Sequence, residues 1–271
     1  YSKASLLFAM EKNNLKKFQS FDEMKEIYEK IIIGRNPVME ALKSNENIDT
    51  IYISSNKGLL GKICSMAKSA GIVVKNCDDR KLDQLANGGV HQGVAAVGAF
   101  AQYVSVEDIL DVSRKKGTKP FIIICDEIED PHNLGALIRT AETAGADGLI
   151  IPKRRSASLT SIVYKTSAGA ASWLPVARVS NLASAIDTLK ENGVWIYGTD
   201  AGGELYTDTD LTGSIALVIG SEGFGMGRLI KEKCDFLLKL PMFGKVTSLN
   251  ASVAGGIFMY EAVRQRIKSA E

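Results

Sequence analysis

The sequence lacks a hydrophobic run that could cross a membrane, since no stretch approaches the roughly 18 consecutive apolar residues that a membrane-spanning helix needs. The first ten residues contain a short apolar stretch, but Lys12, Lys16 and Lys17 follow it. A secretory signal has the opposite order, with its basic residues first. We therefore expect a cytoplasmic protein that does not associate with a membrane.

Cysteine and histidine are also scarce. The four cysteines form no C-x-x-C pair, and a disulfide framework is not expected in so long a chain with so few cysteines. His91 and His132 are the only histidines, and neither has a second ligand at a metal-binding spacing. We expect no metal site, and we expect Cys125, in the run FIIIC, to be a small core residue.

A strong excess of charge of one sign is missing as well, because the formal net charge is only +2. A nucleic-acid partner would therefore have to meet local basic clusters and not a globally basic surface. Residues 114–116 (RKK) and 153–155 (KRR) are the candidates, and the alternative is that both are solvated loop charges. We prefer that alternative for residues 114–116, which lie in a predicted linker.

The length of 271 residues, of which 45% are hydrophobic, favours two domains of the α/β class. We expect residues 1–30 to be a polar N-terminal extension and residues 31–100 to form a small α/β domain. Residues 101–119 are predicted to be a linker with a possible short helix. Residues 120–271 are predicted to form a second α/β domain. In the second domain the apolar runs FIIIC, LIIP, WIYGT, ALVIG and FLLKLP alternate with helical patterns. Strands that are apolar throughout and separated by helices indicate a parallel sheet covered on both faces.

Three segments of the second domain follow predicted strands, where open α/β sheets bind ligands. In the first, Asn133 can cap a helix, and Arg139 is either a surface charge or a ligand for phosphate or carboxylate. From spacing alone we favour the surface interpretation of Arg139 by about two to one.

The second segment, residues 219–226, is rich in glycine, but its spacing is not that of a dinucleotide fingerprint. Glu222 would repel a phosphate, so this loop suits hydroxyl or amine groups; the alternative is a tight strand-to-helix turn. The third segment, residues 240–254, leads from a strand into a helix of small residues. N-capping by Thr247 or Ser248 would explain part of its polarity, but not so many polar groups at one helix start.

These segments resemble the three signature motifs of the SpoU (TrmH) methyltransferases, which belong to the SPOUT superfamily. They read NLGALIRTA, IGSEGFGM and LPMFGKVTSLNASVA, in the family's order and spacing, and the similarity covers residues 120–267. Residues 31–97 resemble that family's RNA-binding domain through IGRNPVMEAL and VHQGVAA. Thr247 and Ala251 depart from the family pattern, where serine and valine are common.

The resemblance implies methyl transfer from S-adenosylmethionine to a ribose 2′-hydroxyl, with a guanosine of ribosomal RNA as the expected target. It implies a deep trefoil knot in the second domain and a homodimer with the active site near the interface. It also implies a catalytic cluster and a set of cofactor-binding residues. The catalytic cluster is Asn133, Arg139, Glu222, Ser248 and Asn250. The cofactor-binding residues are Gly198, Thr199, Ile219, Gly220, Leu240, Met242, Ser248 and Leu249.

Three other functions remain as alternatives. The same chemistry could act on transfer RNA, although transfer-RNA members of the family tend to lack the separate domain at residues 31–100. A catalytically silent RNA-binding protein could keep the fold, but the presence of all three motifs argues against it. A dinucleotide-dependent oxidoreductase is the most distant alternative.

Overall fold

A computed structural model of the chain describes residues 31–44, 46–98 and 102–269. The chain divides at residue 100 into two compact units. The N-terminal extension predicted for residues 1–30 lies outside the described residues. Within the described residues, no helix is long and apolar enough to cross a membrane.

The first unit is a small α/β fold built on a four-stranded sheet with the order β1-β4-β2-β3. Strand β4 pairs antiparallel with β1 and β2, and β2 pairs in parallel with β3. Its elements are β1 (Ile31–Ile33), α1 (Arg35–Lys43), β2 (Ile48–Ile53), α2 (Gly58–Ser69), β3 (Val73–Asn76), α3 (Asp79–Ala86) and β4 (Val94–Gly98).

The second unit contains a six-stranded sheet in which every neighbouring pair is parallel, with the order β10-β8-β9-β5-β6-β7. Its strands are β5 (Phe121–Cys125), β6 (Gly148–Pro152), β7 (Val176–Val179), β8 (Trp195–Leu205), β9 (Ile215–Ile219) and β10 (Phe236–Lys239). Its helices are α4 (Val106–Lys116), α5 (Pro131–Thr143), α6 (Ser161–Thr166), α7 (Leu182–Glu191), α8 (Arg228–Lys233) and α9 (Ala251–Ser269).

Both faces of this sheet are covered, as the uninterrupted apolar runs predict. Strand β5 is buried along its whole length, and its alternate side chains enter two separate cores. Ile123 and Cys125 pack with α5, α6 and α9, whereas Ile122 and Ile124 pack with α4, α7 and α8. The expected α/β class with a parallel sheet, and the expected burial of Cys125, are therefore confirmed.

The segment predicted as a linker is part of the second unit over most of its length. Helix α4 fills residues 106–116, and Val106, Ile109 and Leu110 are buried in one of the two cores. The helix is fixed at both ends: Ser105 and Asp108 form a capping box, and Gly117 ends it in a left-handed conformation (φ 66°). The sequence analysis allowed a short helix here, but it did not predict that the helix is buried against the sheet.

Two short strands were missed by the sequence analysis. Strand β1 has three residues and pairs with β4, and β7 has four residues and extends the parallel sheet beyond β6. β1 is shorter than the runs of about four to eight residues from which a strand can be recognised, and β7 is at the lower limit of that range and is interrupted by Arg178.

Candidate active site

The candidate site lies where the order of strands reverses. The chain adds β6 and β7 on one side of β5, and then returns to add β9 on the other side, with β8 and β10 beyond it. Helix α5 follows β5 on one face, whereas α8 follows β9 on the other. The loops after β5 and β9 therefore diverge and leave a crevice at the carboxyl ends of the strands, the usual ligand site in such sheets.

Three of the predicted catalytic residues meet in this crevice. The side-chain amide of Asn133 donates to Glu222 Oε1 at 2.9 Å, and that of Asn250 donates to Asn133 Oδ1 at 2.8 Å. The Asn250 amide also donates to Glu222 Oε1, which accepts a further bond from the backbone N–H of Ala251 at 3.4 Å. One carboxylate oxygen thus joins the starts of α5 and α9 to the loop after β9. We refer to Asn133, Glu222 and Asn250 as the amide–carboxylate cluster.

Asn250 also caps helix α9. Its Oδ1 accepts from the backbone N–H groups of Ser252 at 3.0 Å and Val253 at 3.2 Å. The expectation that Thr247 or Ser248 caps this helix is therefore wrong, because the helix begins at Ala251 and only Asn250 occupies the cap position. One side chain serves both the helix start and the cluster.

Asn133 does not cap helix α5, contrary to the sequence expectation. Asp130 is the N-cap and accepts from the backbone N–H of His132 at 2.9 Å, while Pro131 is the first helical residue. Because the cap is supplied three residues earlier, the amide of Asn133 is free to bond with Glu222.

Gly198 and Gly220, two of the predicted cofactor-binding residues, are glycines because the protein itself packs against them. A Cβ on Gly220 would lie 2.3 Å from the backbone carbon of Gly225, and one on Gly198 would lie 2.6 Å from Cys234 Sγ. Ser221 and Gly225 close the loop with two backbone hydrogen bonds of 3.0 and 2.9 Å. The alternative of a tight turn therefore describes this loop correctly.

Five of the predicted cofactor-binding residues lie on or directly after three neighbouring strands, where β8 stops pairing with β9 and where β9 and β10 end. Gly198 pairs with Val218 in the β8–β9 ladder, and Thr199 Oγ1 donates to the Val218 carbonyl at 3.0 Å. Gly220 directly follows β9, and Leu240 directly follows β10. These residues therefore lie near the same end of the three strands.

Residues 241–250, which contain Met242, Ser248 and Leu249, are exposed along their whole length. No hydrogen bond among the described residues involves residues 241–249. Ser248 accordingly does not bond to the amide–carboxylate cluster, although the sequence grouped it with those residues. This segment has a row of peptide groups and hydroxyls open to a ligand or to a second chain.

Arg139 lies outside the cluster. Its side chain is exposed on α5, and no other described residue forms a hydrogen bond or ion pair with its guanidinium. Six residues after Asn133, it lies on a different face of the helix. One turn further along, Thr143 contacts the hydroxyl of Tyr260 on α9 at 3.5 Å, so Arg139 borders an exposed part of α9.

Asn133 and Glu222 of the cluster line a cleft of about 730 Å³, which is also lined by residues that the sequence analysis did not select. They are Glu127 and Arg155, joined by an ion pair of 2.7 Å, and Phe224, which is 92% exposed. Residues 153–155 had been considered only as a basic cluster. No local pattern predicts a pairing between two loops that are 28 residues apart.

A buried carboxylate, Asp126, fixes the loop after β5 to the start of α8. It is 5% exposed, and its Oδ2 accepts from the backbone N–H of Gly227 at 2.7 Å. Burial raises the pKa of this carboxyl above its usual value, and the bond from Gly227 opposes that rise. No group of His, Cys, Asp and Glu in the described residues could hold a metal ion.

Comparison with known proteins agrees with this architecture. The SpoU rRNA Methylase family model matches residues 120–260, and the model for RNA 2′-O ribose methyltransferase substrate binding matches residues 31–104. A putative TrmH family tRNA/rRNA methyltransferase, YacO of Bacillus subtilis, is 50% identical over 87% of this chain and 95% of its own length.

Two solved structures extend the comparison. The SpoU methyltransferase AviRb from Streptomyces viridochromogenes, in complex with AdoMet, is 25% identical with a TM-score of 0.56, over 92% of this chain and 95% of that protein. The A. aeolicus TrmH/SpoU tRNA modifying enzyme is 28% identical with a TM-score of 0.52, over 61% of this chain and 86% of that protein. The resemblance seen in the three motifs is confirmed: the chain belongs to the SpoU (TrmH) family of RNA methyltransferases.

Proposed function

We propose that this protein transfers a methyl group from S-adenosylmethionine to the ribose 2′-hydroxyl of a guanosine in ribosomal RNA. The observation that carries the proposal is the amide–carboxylate cluster, which brings Asn133, Glu222 and Asn250 together beside a cleft at the carboxyl ends of the strands.

The residues present fit S-adenosylmethionine. The adenosine moiety needs apolar contacts and backbone hydrogen bonds, and residues 241–249 offer exposed Met242 and Leu249 together with peptide groups that no described residue uses. The adjoining end of the central strands β8 and β9 contains Gly198, Thr199, Ile219 and Gly220. When bound, S-adenosylmethionine supplies a methyl group on a positively charged sulfur, which makes that carbon electrophilic. The same residues give no comparable fit to a nicotinamide dinucleotide, since the glycine loop lacks the fingerprint spacing.

The chain's own residues must then orient a poor nucleophile, because a ribose hydroxyl is hardly ionised at neutral pH. Glu222 Oε1 is already engaged by the two asparagine amides, which leaves Oε2 to accept the hydroxyl proton in a hydrogen bond. The second N–H of Asn133 Nδ2 can donate to the same hydroxyl oxygen. This alignment of the oxygen with the methyl carbon is the main contribution that we assign to the cluster.

Arg139 has a different task in this scheme. Its free guanidinium can hold the RNA phosphate beside the reacting ribose, with two parallel N–H···O bonds. As the hydroxyl oxygen takes up the methyl group, its proton moves along the hydrogen bond to Glu222 Oε2, and from there it passes to that phosphate or to water. An arginine side chain offers hydrogen-bond donors and no acceptor, so we assign Arg139 to phosphate binding and not to the role of base.

Assembly as a homodimer is part of the proposal. Helix α9 leaves Val253, Ile257 and Tyr260 exposed, and Phe243 and Val246 in the preceding segment are 95% and 73% exposed. A second protomer would cover this apolar surface and bring polar groups close to Arg139.

A trefoil knot is also proposed, because the chain leaves β10 at one edge of the sheet and returns to pack α9 on α5 and β9. A Cβ added to Gly255 of α9 would lie 2.5 Å from the side chain of Leu137 on α5, so the two helices are tightly packed. Asn250 and Ala251 then contact Glu222, in the loop under which the chain would thread.

Ribosomal RNA is preferred over transfer RNA because the chain has a separate unit that matches a substrate-binding model. The A. aeolicus tRNA modifying enzyme corresponds to only 61% of this chain. Unmodified transcripts of large-subunit ribosomal RNA and of transfer RNA, incubated with the protein and S-adenosylmethionine carrying a tritiated methyl group, test this choice. We expect label in ribosomal RNA that is recovered as 2′-O-methylguanosine after nuclease digestion. Label on a base, or in transfer RNA alone, would overturn the proposal.

A further inference from the structure

The cleft beside the amide–carboxylate cluster has a wall that the methyl-transfer chemistry leaves without a role. Glu127, Arg155 and Phe224 line the cleft together with Asn133 and Glu222. With a volume of about 730 Å³, the cleft lies in the range of small-molecule sites and can take a nucleoside. Its position at the strand ends places any ligand there next to the predicted point of reaction.

The charge of the cleft excludes the RNA backbone from it. Four carboxylates line it (Glu127, Glu129, Asp130 and Glu222), against the single guanidinium of Arg155. Phosphates would be repelled by this excess of negative charge, whereas an uncharged base that presents N–H groups would be attracted. The ligand class that fits is therefore a base turned away from its strand, with the phosphates remaining outside.

Phe224 provides a surface for such a base. Its side chain is 92% exposed in a glycine-rich loop, so one of its faces is open to a flat ligand. It also lines the cleft, beside Glu222 and Gly223. Aromatic rings of this kind stack on unpaired bases in RNA-binding proteins.

Glu127 and Arg155 form an ion pair of 2.7 Å, and both have left-handed backbone conformations, with φ of 56° and 53°. Such conformations are costly for residues other than glycine and persist where the surrounding structure imposes them. The Arg155 loop is held to the strand-end loop by a bond from Ala157 N–H to the Ile128 carbonyl at 2.8 Å. The pair is thus presented to the cleft in a fixed orientation.

We propose that this wall recognises guanine as the target base, with Phe224 stacking on the ring while Glu127 and Arg155 read its edge. The inference rests on the proposed function and names the residues that select the substrate. A carboxylate can accept from guanine N1–H and N2–H together, and an adjacent guanidinium can donate to O6 and N7. Adenine, cytosine and uracil lack this combination of two neighbouring donors beside two acceptors.

Binding of free nucleosides to the full-length protein tests the inference apart from catalysis. Guanosine, adenosine, cytidine and uridine are compared by saturation-transfer NMR, with excess S-adenosylhomocysteine present so that adenosine cannot report on the cofactor site. We expect guanosine to bind best, and Glu127→Gln to weaken it roughly 10- to 100-fold, as for loss of a bidentate base contact. Phe224→Leu should weaken all four nucleosides.

Glu232→Gln is the matched control, because Glu232 forms an exposed ion pair of 2.8 Å with Arg228 outside the cleft. It should leave guanosine binding unchanged, and Arg155→Lys should not restore the wild-type preference, because the planar fork is lost. Equal binding of the four nucleosides, or unchanged guanosine binding by a folded Glu127→Gln protein, would overturn the inference.

The methyl-transfer assay separates this inference from the function on which it rests. Ribose methylation at a nucleotide other than guanosine would leave methyl transfer to a ribose standing, but it would refute guanine recognition and the choice of guanosine as the target. Guanosine-selective binding that depends on Glu127, without transfer to any RNA, would support the base site and refute the reaction.

Discussion

The predicted catalytic residues separate into two groups that differ in how the chain holds them. Asn133, Glu222 and Asn250 are fixed to one another by hydrogen bonds between three segments of the sequence. Arg139 and Ser248 are exposed and have no bond to that cluster. Folding of one chain is sufficient to build the first group, whereas no contact among the described residues fixes the side-chain geometry of the second.

Arg139→Ala tests the second group and has the largest expected effect. Because no described residue pairs with the guanidinium, we expect an unchanged melting temperature and unchanged affinity for S-adenosylmethionine, but a loss of methyl transfer of about 10³-fold. Arg139→Lys should restore little, since the ammonium cannot grip a phosphate with two bonds. Calorimetry and a tritiated-methyl assay measure the two quantities.

Arg228→Ala is the control for Arg139→Ala, since Arg228 is an exposed arginine of the same unit whose ion-pair partner among the described residues is Glu232. We expect Arg228→Ala to change neither the affinity for S-adenosylmethionine nor the rate of methyl transfer. If Arg139→Ala lost cofactor affinity as severely as activity, the residue would be structural and its assignment to phosphate binding would be wrong.

Asn250→Ser tests the first group by separating the two roles of Asn250. A serine at the cap position keeps an acceptor for the N–H groups of Ser252 and Val253, but it loses the amide that donates to Asn133 and Glu222. We expect activity to fall about 100-fold while the melting temperature stays within a few degrees of wild type.

The same exchange at Asn181 provides the control. Asn181 caps α7 by accepting from Ala183 and Ser184, and it lies outside the cleft. Asn181→Ser should preserve activity. Full activity of Asn250→Ser would show that the cluster is only a device for starting helix α9.

Removal of residues 1–101 tests whether the two units divide the work. The second unit has its own two cores, so we expect it to fold, bind S-adenosylmethionine and remain dimeric by light scattering. RNA affinity should fall at least about tenfold, with a smaller salt dependence, because each lost phosphate contact removes about 0.7 from the log–log slope. Unchanged RNA affinity would contradict the assignment of the first unit.

The smallest effect is expected for Asp126→Asn, at the buried carboxyl that fixes the loop after β5. Burial raises its pKa in the folded state, so the wild type loses stability as pH rises from the unfolded pKa through the folded one. An asparagine can still accept from Gly227 N–H and carries no charge. It should therefore stabilise the protein at pH 7 by less than about 1 kcal/mol, with the difference disappearing below about pH 4. Chemical denaturation at pH 7 and below about pH 4 measures the free energy of unfolding of the two proteins. A variant that is less stable than the wild type at pH 7 would contradict the prediction.

The sequence was informative where a feature depends on neighbouring residues. The runs FIIIC and ALVIG are apolar throughout, so a buried parallel sheet could be predicted, and the three motifs identified Glu222 and Asn250. Features that depend on distant residues were not accessible. The Glu127–Arg155 pair joins two loops. Both residues have positive φ angles, which cannot be predicted from the sequence because neither residue is a glycine.

Local patterns also failed where several residues could take the same role. Thr247, Ser248 and Asn250 can all cap a helix, and only the packing of α9 selects the third. The cap of α5 is Asp130 and not Asn133, because Pro131 is suited to the first helical position.

The use of one asparagine as both a helix cap and a cluster member determines when the site can exist during synthesis. Asn250 contacts Asn133 across 117 residues of chain, and its cap is formed only when α9 has folded. Contacts between residues so far apart in the sequence form late, because the chain between them must first be brought together. A nascent chain synthesised only as far as residue 249 therefore lacks the assembled amide–carboxylate cluster, which can form only after helix α9 has been made and has folded.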